Sequence, residues 1–108
     1  MEVHEATEIF SSLAQETRLT VFRLLLEYGA DGAIPGRLAE ELRIPPNTLS
    51  FHLAHMTKAG LVRSKRSGRS ITYYAETALV PQVISFLQAN CCVRETDYNP
   101  KKKRKACA

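Results

Sequence analysis

The fold class the sequence predicts is mainly α, with one small β-hairpin and a helix-turn-helix at its centre. Three observations predict it. Apolar residues recur at helical spacing over residues 5–14, 16–28, 35–43, 46–59 and 77–91. The third and fourth of these segments are short and are parted by Ile44-Pro45-Pro46, a hard stop between two helices. Residues 61–66 and 70–75 have strand character on either side of Ser67-Gly68-Arg69.

The first segment places Ile9, Phe10 and Leu13 on one helical face. The second turns Leu19, Phe22, Leu25 and Leu26 inward; Glu16 suits its first turn and Gly29 ends it. Asp31-Gly32 is a turn signal. The third points Leu38, Ala39 and Leu42 inward, with Pro35 in its first turn. The fourth has an inward stripe of Leu49, Leu53 and Met56. In the hairpin, Ile71 and Tyr73 alternate with Thr72 and Tyr74, the period of a half-buried strand. The last helix carries Leu79, Val80, Val83, Ile84, Phe86 and Leu87, with Pro81 in its first turn. Its surface is apolar over more than one stripe, which predicts contact with its own domain and with a partner chain.

Helix, helix, helix-turn-helix, hairpin, helix is a winged helix-turn-helix with flanking N- and C-terminal dimerisation helices. Residues 1–93 are expected to form this domain. Residues 94–108 are expected to be a basic, flexible tail that carries the third cysteine.

The chain has 108 residues and a net charge of +4, with 44% hydrophobic and 24% charged residues. That suits one small globular domain. Residues 1–57 hold eight acids and four Lys/Arg, whereas 58–75 hold five Lys/Arg and no acid. Five more lie in Lys101-Lys102-Lys103-Arg104-Lys105. Two concentrated basic zones suggest a polyanion. No apolar run is long enough to span a membrane, and the N-terminus has no secretory pattern, so a cytoplasmic protein is expected.

The inward stripe of the fourth helix leaves Asn47, Ser50 and Phe51 outward. On a helix lying in the major groove, such residues reach base edges: Asn can pair with adenine and Phe can meet a thymine methyl. Thr48 sits at the helix entrance, where a hydroxyl and a backbone N–H can meet a phosphate. Helix capping is the competing role for Asn47 and Thr48. Lys65, Arg66 and Arg69 surround the hairpin's glycine turn and suit phosphate or minor-groove contact. The expected partner is double-stranded DNA. His52 and His55 lie three apart, but no carboxylate or cysteine nearby on that helix completes a metal site.

Cys91, Cys92 and Cys107 all lie near the C-terminus. Adjacent cysteines have Cα atoms about 3.8 Å apart, below the ~4.4–6.8 Å of an ordinary disulfide. A vicinal pair and a third thiol, with fourteen residues between Cys92 and Cys107, can serve as a site for a soft ion.

Ser12-Leu13-Ala14-Gln15-Glu16-Thr17-Arg18-Leu19 with Phe22-Arg23-Leu24-Leu25 resembles the second-helix signature of ArsR/SmtB repressors. Asn47-Thr48-Leu49-Ser50-Phe51-His52-Leu53 with Lys58-Ala59-Gly60-Leu61-Val62 resembles their recognition helix and its exit. Gly68-Arg69 through Tyr73 is similar to their wing. The resemblance covers roughly residues 5–92. It implies a homodimeric repressor released from its operator by a metal or metalloid. The arsenic sensors' Cys-x-Cys before the recognition helix is absent from Arg37–Leu42, and the zinc sensors' Asp/His pairs are absent from the last helix. The resemblance that remains is to arsenite sensors with a vicinal pair at the end of the last helix and a third Cys downstream.

Trivalent arsenic or antimony is therefore the inducer implied, held by Cys91, Cys92 and Cys107, with no resident cofactor. A helix C-terminus disfavours thiolates at the first two positions. Arsenous acid suits this, because it condenses with neutral thiols and releases water. Open alternatives are a thiol-based redox-sensing repressor, a cadmium or lead sensor of the same fold, and an architectural DNA binder that senses nothing. An enzyme is not expected: no Ser/His/Asp set, phosphate loop or carboxylate pair appears.

Overall fold

The computed structural model describes residues 1–96. Helix α1 spans Val3–Leu13 and α2 Glu16–Tyr28. A single 3-10 turn, Gly29–Asp31, leads to α3 (Pro35–Leu42) and α4 (Pro46–Lys58). Strands β1 (Val62–Ser67) and β2 (Ser70–Ala75) form the hairpin, and α5 covers Leu79–Gln88. Among the described residues, no helix is long and apolar enough to cross a membrane.

The predicted fold class is the one observed. α2 runs over the span expected and stops at Gly29, whose φ of 57° is open to glycine and disfavoured elsewhere. α3 and α4 are parted by three residues, Arg43, Ile44 and Pro45, the first in the left-handed region. The strands pair antiparallel, Val62 opposite Ala75 and Ser67 opposite Ser70. Ala33 adds a one-residue bridge to Tyr73, with N–H···O distances of 2.9 and 2.8 Å. This ties the loop before α3 to the hairpin.

One core holds the domain together. It contains Ile9 from α1, Val21, Phe22 and Leu25 from α2, Leu38 from α3, and Leu49, Leu53 and Met56 from α4. Leu61, Val62 and Ala75 extend it to the base of the hairpin. Tyr28 also fastens α2 to α3: its hydroxyl donates to Glu41 and accepts from Arg37 Nε at 3.1 Å.

The structure corrects three expectations. Leu19 and Phe10, expected inward, are 43% and 40% exposed. On helices as short as these, one stripe suffices to cover the core, and Phe22, Leu25 and Ile9 already fill it. The last helix is shorter than 77–91. Ala89 takes an extended ψ of 132° and Asn90 a left-handed φ of 63°, which break the helical backbone before the cysteines. No residue of α5 is buried; only one side of it, through Leu79 and Val83, packs on the core.

Gly32 is the position at which glycine is required. Its φ of 63° with ψ of −171° lies in a region essentially reserved for glycine. A Cβ there would stand 2.6 Å from the Tyr73 carbonyl oxygen and from the Tyr74 ring. Gly32→Ala is predicted to destabilise the fold by at least about 1–3 kcal/mol. Urea unfolding monitored by circular dichroism will show the midpoint fall. Gly36→Ala, in α3 with open space around it, is the control and is expected to keep the midpoint.

Candidate nucleic-acid interface and cysteine site

α4 presents two different faces. Leu49, Leu53 and Met56 are at most 1% exposed, while Asn47, Thr48, Ser50 and Phe51 all face solvent. Phe51 is 64% exposed. The N-cap of α4 is Pro45, and no side chain caps the helix. Asn47 and Thr48 therefore do not act as its caps. Pro45 and Pro46 have no N–H, so the first amides that α4 directs outward belong to Asn47 and Thr48. Amides so placed favour an anion.

The hairpin carries Lys65 and Arg66 on β1, and Arg69 in the turn beside Gly68. All three are exposed. Alternation along β1 sends Lys65 and Arg66 to opposite faces of the ribbon. Their partners across the hairpin, Thr72 and Ile71, are uncharged. Arg63 differs, although it belongs to the same basic zone. Its Nε bonds Glu76 Oε1 at 2.8 Å, and its guanidinium lies 4.4 Å from the centre of the Tyr74 ring. It braces the base of the hairpin and its charge is already matched.

Behind α4 lies a polar cluster that the sequence pattern did not reveal. His52 is buried, as is Ser12 on α1. Arg18 Nε donates to the Ser12 carbonyl at 2.6 Å, and Arg18 Nη1 lies 3.3 Å from His52 Nδ1. Ser12 Oγ lies 2.9 Å from His55 Nδ1. Both histidines are thus engaged with side chains from the α1–α2 corner. Among the described residues, no group of three or more His, Cys, Asp or Glu could hold a metal. From the sequence, the spacing of His52 and His55 raised only a metal site with no further ligands, and their polar partners on α1 and α2 lie too far along the chain to be read from it.

Cys91 and Cys92 lie in the turn that follows α5, beyond its last helical residue. Cys91 is half-buried, its N–H bonded to the Gln88 carbonyl at 3.0 Å, and Cys92 is exposed with φ 65°. Their sulfurs are 3.3 Å apart, in contact but well beyond the ~2.05 Å of an S–S bond. The predicted third ligand, Cys107, lies outside the described residues.

A helix whose apolar side is buried and whose polar side is bare, beside a basic hairpin, defines a helix-turn-helix DNA-binding regulator. A helix-turn-helix domain model matches residues 13–65. An uncharacterised helix-turn-helix transcriptional regulator of Methanocaldococcus jannaschii is 34% identical over 88 residues, 81% of this chain and 97% of that protein. An ArsR-like transcriptional regulator from Rhodococcus sp. RHA1 superposes with a TM-score of 0.72 at 27% identity, covering 85% of this chain and 84% of that one. HlyU from Vibrio cholerae superposes with a TM-score of 0.65 at 25% identity, covering 85% and 99%. The chain belongs to the helix-turn-helix transcriptional regulators, and its winged-helix fold matches that of the ArsR-like regulator.

His52 makes stability depend on pH. Burial first, then the charge of Arg18 and of His55, lower its pKa from the ordinary 6.5. The unfolded chain then binds more protons than the folded one as pH falls through 6.5, so stability falls with pH in that range. The melting temperature is predicted to drop between pH 7.5 and 5.5. In His52→Gln, which has no titrating ring, the drop is expected to be smaller.

Proposed function

We propose that the protein is a homodimeric transcriptional repressor. It holds a double-stranded operator through α4 and the hairpin, and releases it when trivalent arsenic or antimony bonds the thiols after α5. The bare outer face of α4 carries the DNA half of this reading. Two such helices, related by a two-fold axis, would meet half-sites about 34–36 Å apart. For the dimer, the support is apolar surface that one chain leaves uncovered. Val80, Ile84 and Leu87 on α5 and Val3 and Phe10 on α1 are exposed. An apolar cleft of about 140 Å³ opens between α1, α2 and α5, lined by Ile9, Leu13, Phe22 and Val83 among others.

The sensing half rests on the two sulfurs. Bonds of about 2.3 Å from one soft atom, meeting near a right angle, place two sulfurs about 3.3 Å apart. That is the separation Cys91 and Cys92 already have. Arsenous acid would exchange three hydroxyls for the sulfurs of Cys91, Cys92 and Cys107 and release three waters. The reaction requires Cys91 as a thiol.

The contact between the Cys91 and Cys92 sulfurs also supports a second reading, a redox-sensing regulator. There, hydrogen peroxide takes two electrons from two thiols, forming the disulfide and two waters. Cadmium or lead would use the same thiolates. Fluorescence anisotropy of an operator duplex selected from a random library separates these readings. With reduced protein, arsenite is predicted to release the DNA, and Cys91→Ser or Cys92→Ser to abolish release. Cys107→Ser is predicted to weaken the response to arsenite more than to methylarsenite, which has only two exchangeable hydroxyls. Release by peroxide, with none by arsenite or cadmium, replaces the first reading with the second.

Two further predictions concern the scaffold. Removing one cation that neutralises a phosphate should lower the magnitude of the salt slope by about 0.9. Arg66→Ala with Arg69→Ala is expected to flatten it, while Arg63→Ala leaves it unchanged because Glu76 and Tyr74 occupy that guanidinium. Ile84→Glu is expected to convert a sedimenting dimer to monomer at micromolar concentration. A dimer that survives this substitution would place the interface elsewhere.

A further inference from the structure

Arg18 stands in the first turn of α2, where its own N–H is held by Gln15 Oε1 at 2.8 Å. Its guanidinium joins three helices. Nε caps α1 by donating to the Ser12 carbonyl, one of the last carbonyls of that helix and without an intrahelical partner. Nη1 reaches α4 at His52 Nδ1, 3.3 Å away. A guanidinium can only donate. His52 Nδ1 is therefore the acceptor, and the ring proton sits on Nε2. Burial and the Arg18 charge hold the ring's pKa below the ordinary value, so this neutral tautomer is the form present at pH 7.

The position of that proton matters because of where the ring lies. His52 is 8% exposed. No buried side-chain nitrogen or oxygen among the described residues lacks a partner, and the ring's hydrogen bond within the domain is the one at Nδ1. Nε2–H is thus the edge that meets solvent. The ring stands one helical turn beyond Thr48 and touches Phe51 edge-on, with centroids 5.5 Å apart. It is set back from the outermost residues of α4, at its margin rather than on the face that carries Asn47, Ser50 and Phe51.

We infer that His52 is a DNA-contact residue whose Nε2–H donates to a phosphate oxygen, and that Arg18 is the positioning residue that fixes the proton there. The inference rests on α4 being the helix that lies against DNA. The contact is neutral, so it adds affinity without adding to counterion release. The parallel bond from Ser12 Oγ to His55 Nδ1 holds α4 at a second point, one turn along.

The experiment is ¹⁵N NMR of the histidine rings in the reduced full chain, with and without the selected operator duplex. In the free protein His52 is expected to show the Nε2–H tautomer, with Arg18→Lys giving a mixture of tautomers. Adding DNA is expected to slow exchange of the Nε2 proton. In binding assays, His52→Ala should weaken operator and unrelated duplex alike by about 10-fold with an unchanged salt slope. His52→Gln, whose amide nitrogen falls near the former Nε2, should recover most of that loss. An Nδ1–H tautomer, or an Nε2 proton indifferent to DNA, overturns the inference, and wild-type protein alone suffices for that measurement. Asn47→Ala with Phe51→Ala is the separate test of α4. If that variant keeps full operator preference, α4 is not the reading helix. If it loses preference while His52 stays silent, only the role of His52 fails.

Discussion

The burial of Leu49, Leu53 and Met56 is the constraint on which the rest of the molecule depends. Each side chain is almost wholly removed from water. At roughly 1.5–3 kcal/mol apiece, they fix which side of α4 faces the core. Turning the helix by one residue, about 100°, would lift this stripe into solvent and bury Asn47 and Ser50 without partners. No hydrogen bond in the domain competes with that. The outward display of Asn47, Thr48, Ser50 and Phe51 is therefore a consequence of core packing. The hairpin inherits its place in the same way, because Leu61 and Val62 carry the core directly into β1.

Apolar packing sets the side but tolerates small rotations; directional bonds do not. The Arg18–His52 and Ser12–His55 contacts supply that direction at two points one turn apart. Their net worth is smaller, about 0.5–1.5 kcal/mol for an ordinary hydrogen bond. Their geometric content is larger, since a shift of an ångström breaks them. The hydrophobic stripe accounts for stability, and the polar corner for the angle at which α4 is presented.

This division explains what was legible in the sequence. The stripes, the Ile44-Pro45-Pro46 break and the Ser67-Gly68-Arg69 turn are local signals, and they located the helices and strands of the fold. The outer face of α4 followed by subtraction once its inner stripe was known. Residues whose role depends on distant partners were not legible. His52 lies 34 positions from its partner Arg18, and Ser12 lies 43 from its partner His55. Nothing local marks either as buried. Arg63 reads as one more wing cation until Glu76 and Tyr74 are seen against it. Leu19 and Phe10 fit an inward face by spacing, but the space there was already taken. The end of α5 was misplaced because Ala89 and Asn90 carry no strong stop signal, and their backbone breaks the helix nonetheless.

The same asymmetry bears on how chemistry at the thiols would act at the DNA. α4 is locked by core and corner, whereas α5 has no buried residue and touches the core along one side only. Asn90 and Cys92 hold left-handed φ values, which Asn tolerates and which a cysteine keeps only where its surroundings enforce it. Under the proposed function, a metalloid bonded to the thiols would constrain this turn and pull on the free end of α5, which has no buried residue. In the proposed dimer α5 is also interface. A strain applied there is relieved more readily by rotating one protomer against its partner than by repacking a close-packed core. In that proposed dimer, recognition helices carried by two rigid protomers would then miss half-sites spaced by one DNA turn, although neither helix had changed shape. A coupling of about 1–3 kcal/mol, ordinary for linked sites, corresponds to a 5- to 150-fold loss of operator affinity. That is within reach of a small rotation if the interface is built on the exposed Val80, Ile84 and Leu87, whose apolar side chains would set no angle of their own.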